Sequence, residues 1–502
     1  MQNNIKKFFE RKVNIVCLLF IIGLIITIPS LIPSFNVDGY CTYAFGYLDS
    51  AKTFMKSGRL FTALIYVVSH GINLPFEIFS IISIVLANLF LALTIYKLFD
   101  HLTKYIDKSL LSKVMLLLGV FLIFYNPLTL ELLLFEEAFI MCAGIYFAVL
   151  AALKFIDYNK KGYLLSALYL IISAICYQGI VCYFIPVAFL LVVINLGRDL
   201  KKEIPEIIKK GIIACIIYGI SLIVSFVIVK FINSYIFTDG TQKLGTLDII
   251  YNIKKAIELM FYSLKGLFGF GNRVIFYGFS ILGTLFVSLS TIKNSKNHWT
   301  KVLYFICNLG LCVVMPFVPN LGMNSASNYT AARMIGSICS VAGFIVIYGI
   351  IYFNILKKEN LKTIFIIMAS LYSLYIGYEF LRTTSVGLKR YRNDMESIEK
   401  LHNKIAEYEL ENNIEVKNIY YATDSHVNYY YYQQQLTNSY NYRLYAIDWA
   451  MQCSINIGKD HNYKYTKMSD KDKERYFNNK EYDGFSDEQL VFVDDKLYLL
   501  IY

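Results

Sequence analysis

Long apolar blocks, broken by short basic connectors, constrain this chain more than any other feature. Two examples are Leu18–Pro33 and Ile212–Ile232. Such blocks run to roughly 17–25 residues, the length a helix needs to cross a hydrocarbon core about 30 Å thick. Only 17% of the 502 residues are charged, and 56% are hydrophobic. A soluble domain carries nearer to about 25% charged residues. The reading is therefore an all-α polytopic membrane protein. Eleven spans are expected, near 13–33, 75–98, 111–127, 138–156, 163–178, 179–196, 211–235, 272–291, 302–319, 333–355 and 362–381. The basic N-terminal stretch with the apolar block behind it reads as an uncleaved first span.

The net charge of +11 does not indicate nucleic-acid binding, because the basic residues sit in connectors between apolar blocks. With a cytoplasmic N-terminus, each inner connector carries several basic residues. Examples are Lys6, Lys7, Arg11 and Lys12, then Lys97, Lys104, Lys108 and Lys113, and later Arg198, Lys201, Lys202, Lys209 and Lys210. The outer connectors 128–137 and 320–332 carry none. This asymmetry fixes the expected orientation. An odd span count then puts the C-terminus outside. Residues 1–381 form the membrane domain and 382–502 a small extracytoplasmic α/β domain. In the latter, Met395, Ile398, Leu401, Ile405 and Tyr408 have helical spacing, and 416–423 and 489–502 read as strands, the last folded into a hairpin at Asp494-Asp495.

Eight of the ten cysteines lie inside apolar blocks: Cys17, Cys142, Cys176, Cys182, Cys215, Cys307, Cys312 and Cys339. There is no CxxC pair and the six histidines are scattered. Nothing has metal-ligand spacing, and the cysteines read as buried free thiols.

Candidate chemistry collects at the outer ends of spans. Asp38 follows the first span, where a carboxylate can sit at the membrane–water boundary or simply cap a loop. Phe54, Leu60, Leu64 and Val67 suggest one interfacial helix, begun at Asp49-Ser50 and closed at Gly58-Arg59. Asp49 reads first as its N-cap. Arg59 suits phosphate, or a headgroup contact. Glu136 and Glu137, with Glu131, lie in the second outer loop and could face the same chamber as Asp38. Gln178, beside Tyr177 at a tight outer turn, could hydrogen-bond a sugar hydroxyl or the turn's own backbone. Arg273 and Arg333 open spans eight and ten on the outer side, where arginine is unusual, so both are candidate phosphate ligands.

Taken together, Asp38 with Gly58-Arg59, Tyr177-Gln178 and the span plan over about 1–381 resemble the GT-C class of integral membrane glycosyltransferases. The closer resemblance is to the bacterial serotype-converting O-antigen glucosyltransferases. Asp38 is followed by Gly39, whereas some GT-C relatives carry two adjacent acids in this loop. The resemblance implies an inverting transfer of a sugar, glucose in that family, from a polyprenyl-phosphate-sugar to a cell-surface glycan. Asp38 is then the general base, and Arg59, Asp49, Glu136, Glu137, Tyr177, Gln178, Arg273 and Arg333 surround the substrates. A donor synthase and a flippase are implied as partners. No cofactor is called for, and metal dependence stays open. Two other readings share the outer arginines or the lipid setting: an outer-face polysaccharide polymerase and a non-enzymatic lipid or glycan flippase. A flippase needs charge within the membrane, and the expected span interiors carry almost none.

Overall fold

The computed structural model describes residues 11–35, 37–107, 109–196, 203–237, 249–266, 273–294, 298–322, 332–353, 359–423, 448–458, 463–478, 480 and 486–501. Its helices are set by the apolar blocks and broken where the blocks break. They begin with α1 (Lys12–Ile26), α2 (Val37–Phe45), α3 (Tyr47–Lys56), α4 (Leu60–Gly71), α5 (Phe76–Leu102) and α6 (Leu110–Phe124). After a bend come α7 (Ala138–Phe155), α8 (Lys160–Cys176), α9 (Phe184–Leu196), α10 (Ile204–Ile236) and α11 (Ile249–Gly266). The series continues with α12 (Arg273–Asn294), α13 (His298–Val314), α14 (Val341–Phe353) and α15 (Glu359–Asn412). This is a helical, polytopic membrane protein.

The expected count of eleven spans is not met. Among the described residues, seven helical segments are long and apolar enough to cross a bilayer, or up to eight if the bent pair Leu110–Phe124 and Pro127–Leu134 is one span. The expected spans 13–33, 163–178 and 333–355 correspond to helices of 15, 17 and 13 residues. At 1.5 Å per residue a 15-residue helix reaches only about 23 Å, short of a core about 30 Å thick. Hydropathy registers apolar length but not where the helix stops. The first expected span illustrates this: Pro29 and Pro33 follow α1, and the chain passes into a 3₁₀ turn at Ile28–Leu31.

The segment after the first expected span holds three helices where one was expected. Gly46 and Gly58 have φ of 84° and 81°, in the left-handed region where a Cβ is costly. They separate α2, α3 and α4. Asp49 is in the first turn of α3, and the residue preceding that helix is Gly46, so the capping role expected of Asp49 belongs to the break at glycine instead. An amphipathic helix that the sequence reading left as loop, α11, turns Asn252, Ala256 and Ser263 inward and leaves Ile250, Ile253, Ile257 and Phe261 exposed.

α15 runs for 54 residues, about 80 Å. The expected domain boundary at 381–382 therefore falls inside a continuous helix. Its far end carries Leu401 and Ile405, both buried against a four-stranded sheet. The strands are β1 (Asn418–Thr423), β2 (Lys464–Lys467), β3 (Leu490–Val493) and β4 (Lys496–Ile501), in the order β2-β1-β4-β3. β1 pairs parallel to β2 and β4. β3 and β4 form the antiparallel hairpin expected at Asp494-Asp495, with Asp494 at φ 54°. Among the described residues, two helices accompany the sheet, α16 (Asp448–Ile455) and α17 (Asp470–Phe477).

Candidate active site

Most of the polar side chains singled out above converge at one place, brought there by backbone breaks. Asn126 caps the short turn that follows α6, accepting from the amides of Leu128 and Thr129, with Pro127 next in line. The chain bends by 54° there and continues as a 3₁₀ turn, Glu131–Leu134. Glu136 and Glu137 then lie immediately before α7. All three glutamates are buried. An isolated buried carboxylate is expensive, so each needs compensation.

Two arginines supply part of it. Arg59 Nη1 lies 3.2 Å from Glu137 Oε1, with side-chain exposures of 13% and 1%. Arg333 Nη1 lies 3.0 Å from Glu131 Oε1, and its backbone N–H donates to Glu131 Oε2 at 2.6 Å. Arg333 Nε also donates to the Tyr177 hydroxyl at 3.2 Å. The Tyr177 ring in turn lies under the Arg59 guanidinium, 4.8 Å away, while Arg333 stacks 4.4 Å from the Phe135 ring. Tyr177 thus bridges two ion pairs into one chain: Glu137, Arg59, Tyr177, Arg333, Glu131. Each arginine fork is held by a carboxylate and an aromatic face, which suits guanidinium better than ammonium.

Gln178 completes the corner. Its Nε2 donates to the Gly58 carbonyl at 2.9 Å. The carbonyl it meets belongs to a distant loop and not to its own turn, which the sequence reading did not foresee. This bond joins the Gly58-Arg59 break to Tyr177-Gln178, 120 residues apart. A Cβ at Gly58 would meet Gln178 Nε2 at 2.6 Å and Val229 at 3.3 Å, a second reason for glycine there.

Asp38 sits in the first turn of α2, half-buried. Its neighbour Gly39 lies against Glu136: a Cβ there would stand 2.2 Å from Glu136 Oε1 and 2.5 Å from Cδ. No side chain fits at position 39 while the Glu136 carboxylate occupies that space. The second acid of this corner thus comes from the loop before α7. Burial pushes the Glu137 carboxyl above its ordinary value, the Arg59 charge opposes this, and Asp38 adds to it. Among the described residues, Glu137 Oε2 is buried without a hydrogen-bond partner.

One expected residue is not brought in. Asp49 is exposed and pairs with Lys52 at 2.8 Å on the α3 surface. α3 turns Ala51 and Phe54 inward, and Asp49 lies off that face. Arg273 opens α12, and its side chain lies outside the described residues. Among the described residues no group of three or more His, Cys, Asp or Glu side chains could hold a metal ion.

The cysteine reading needs two corrections. Cys41 and Cys453 form a disulfide, with Cα atoms 4.7 Å apart across 412 residues of sequence. They are the two cysteines outside the apolar blocks, which was the available signal. Of the remaining eight, Cys17, Cys215 and Cys307 are exposed on helix surfaces and not buried. Tyr391 was also missed. It stacks on Tyr40 at 6.1 Å and meets Phe35 edge-on at 5.5 Å.

The sequence matches no known family pattern, and no curated protein matches it.

Proposed function

We propose that this protein transfers a sugar from a polyprenyl-phosphate-sugar, with glucose as the sugar, to a glycan acceptor on the extracytoplasmic side of the membrane. The observation that carries this reading is the convergence of Asp38, Glu136, Glu137, Arg59, Tyr177 and Arg333, from five separate stretches of chain, beside helices apolar enough for lipid. Such a corner has what the reaction needs: a half-exposed carboxylate for a hydroxyl proton and cations for a phosphate.

In this reading Asp38 accepts the proton of the acceptor hydroxyl. The hydroxyl oxygen attacks the anomeric carbon from the side opposite the phosphate, and the bond from that carbon to the phosphate oxygen breaks. Configuration inverts. The departing polyprenyl phosphate carries away the electron pair and an added negative charge, which a guanidinium stabilises. Arg59 is the proposed phosphate ligand. It has one ion-pair contact and 13% exposure, whereas Arg333 is held by Glu131 through two groups and by Tyr177. Arg333 and Tyr177 then fix the position of Arg59. The orientation that puts this corner outside is supported by the Cys41–Cys453 disulfide, since disulfides persist in oxidising compartments.

The test uses purified protein in liposomes with undecaprenyl-phosphate-glucose. Asp38→Asn keeps the shape but cannot take the proton, and the transfer rate should fall by about 10² to 10⁴ with donor binding intact. The same amide change is made at Glu136 and Glu137. If Asp38→Asn transfers at the parental rate and one of those is dead, the base is that residue. If none of the three matters and the lipid changes leaflets instead, the protein is a flippase and the transferase reading fails.

A further inference from the structure

α2, which carries Asp38, cannot hold itself in place. It has nine residues, below the length at which a helix is stable alone, and it ends at the Gly46 break. Three contacts with the C-terminal third of the chain hold it. Cys41, one turn after Asp38, is bonded to Cys453 of α16. Tyr40 stacks on Tyr391 of α15. Phe35, just before α2, packs on the same Tyr391. Ile398 and Ile457 join Phe35, Tyr40, Tyr47 and Phe54 in one buried cluster.

We propose that the segment beyond residue 385 is a working part of the site, in which the Cys41–Cys453 bond and Tyr391 act as positioning elements for the helix that bears Asp38. The positioning of the helix stands on these contacts alone; its effect on catalysis rests on the reading of Asp38 as the base. The covalent link joins residues 412 apart and adds a long-range hold to the local ones, the Thr42–Ser50 hydrogen bond and the Tyr43–Phe76 ring contact. Tyr391 supplies a second hold from α15, which continues into the apolar part of the molecule.

Three measurements test this. First, membranes containing the full chain are denatured and labelled with a maleimide polymer. Eight adducts are expected before reduction, matching the eight free cysteines, and ten after it. Ten before reduction overturns the link. Second, hydrogen exchange is followed in the full-length protein, comparing the parent with Cys453→Ser and with the folded parent after phosphine reduction. Amides of 37–45 should exchange roughly tenfold faster, while those of 138–155 stay unchanged. Unchanged exchange in 37–45, or equal loosening of 138–155, overturns positioning; the reduced parent decides if the variant does not fold. Third, with undecaprenyl-phosphate-glucose, Cys453→Ser and Tyr391→Leu should lower kcat about tenfold or more and leave the donor KM as it was. A loss confined to KM, or none, overturns the catalytic role. The first two measurements use no substrate, so they judge the clamp even if the transferase reading fails.

Discussion

Glu131 and Asp49 show how burial changes the worth of an ion pair. The Glu131–Arg333 pair is enclosed, at 0% and 8% side-chain exposure. Removing one partner of such a pair strands the other's charge, at a cost of about 3–5 kcal/mol. Glu131→Gln should therefore lower the thermal stability of the detergent-solubilised protein markedly. Asp49→Ala removes an exposed pair with Lys52, 62–63% exposed, and should move stability by less than about 1 kcal/mol. A similar shift for both variants in a melting series would contradict the burial argument. Tyr177→Phe isolates another contribution. It deletes the acceptor of the Arg333 Nε hydrogen bond while keeping the ring under Arg59, and should cost about 1.5–3 kcal/mol, as for hydrogen bonds to charged groups.

Helices approach one another in this molecule where side chains are absent. α6 and α14 cross at Gly119 and Gly343. A Cβ on Gly343 would lie 2.5 Å from the Gly119 carbonyl oxygen and 2.6 Å from the Ile123 amide nitrogen. Both are backbone atoms, so relief requires the helices to part. Small residues at such crossings are the usual way that membrane helices pack closely. Gly343→Ala should destabilise by about 1–3 kcal/mol through overpacking. Gly278→Ala, where a Cβ meets nothing within 4 Å, should not destabilise. The comparison is read as loss of folded protein against temperature by size-exclusion fluorescence, and equal behaviour of the two variants would refute the crossing argument.

At the scale of the whole chain, orientation decides which face of the membrane the site occupies. The basic connectors predict a cytoplasmic N-terminus; residues 1–10 and several of the lysines and arginines counted lie outside the described residues. The disulfide puts α2 and α16 on one face. An introduced Lys471→Cys, on α17 just ahead of Asn478, should react with an impermeant maleimide on intact cells. Reaction only after lysis would invert the orientation and remove the extracytoplasmic site with it.

The membrane character of this protein was legible in the sequence because burial in lipid needs only composition over a window, and so was the hairpin at Asp494-Asp495, which depends on adjacent residues. Asp38, Arg59, Glu136, Glu137, Tyr177 and Arg333 could be picked out because charge and polarity are conspicuous beside apolar spans. What no window could reveal was their pairing. Arg333 meets Glu131 across 202 residues, Gln178 meets Gly58 across 120, and Cys41 meets Cys453 across 412. The length of each helix was also hidden, because the ends were set by glycine dihedrals, prolines and packing more than by hydropathy. Position 39 is the clearest case. In the sequence Gly39 is a missing acid, whereas in the fold its bare Cα makes room for the carboxylate of Glu136, and only the packing of α2 against the loop before α7 decides that.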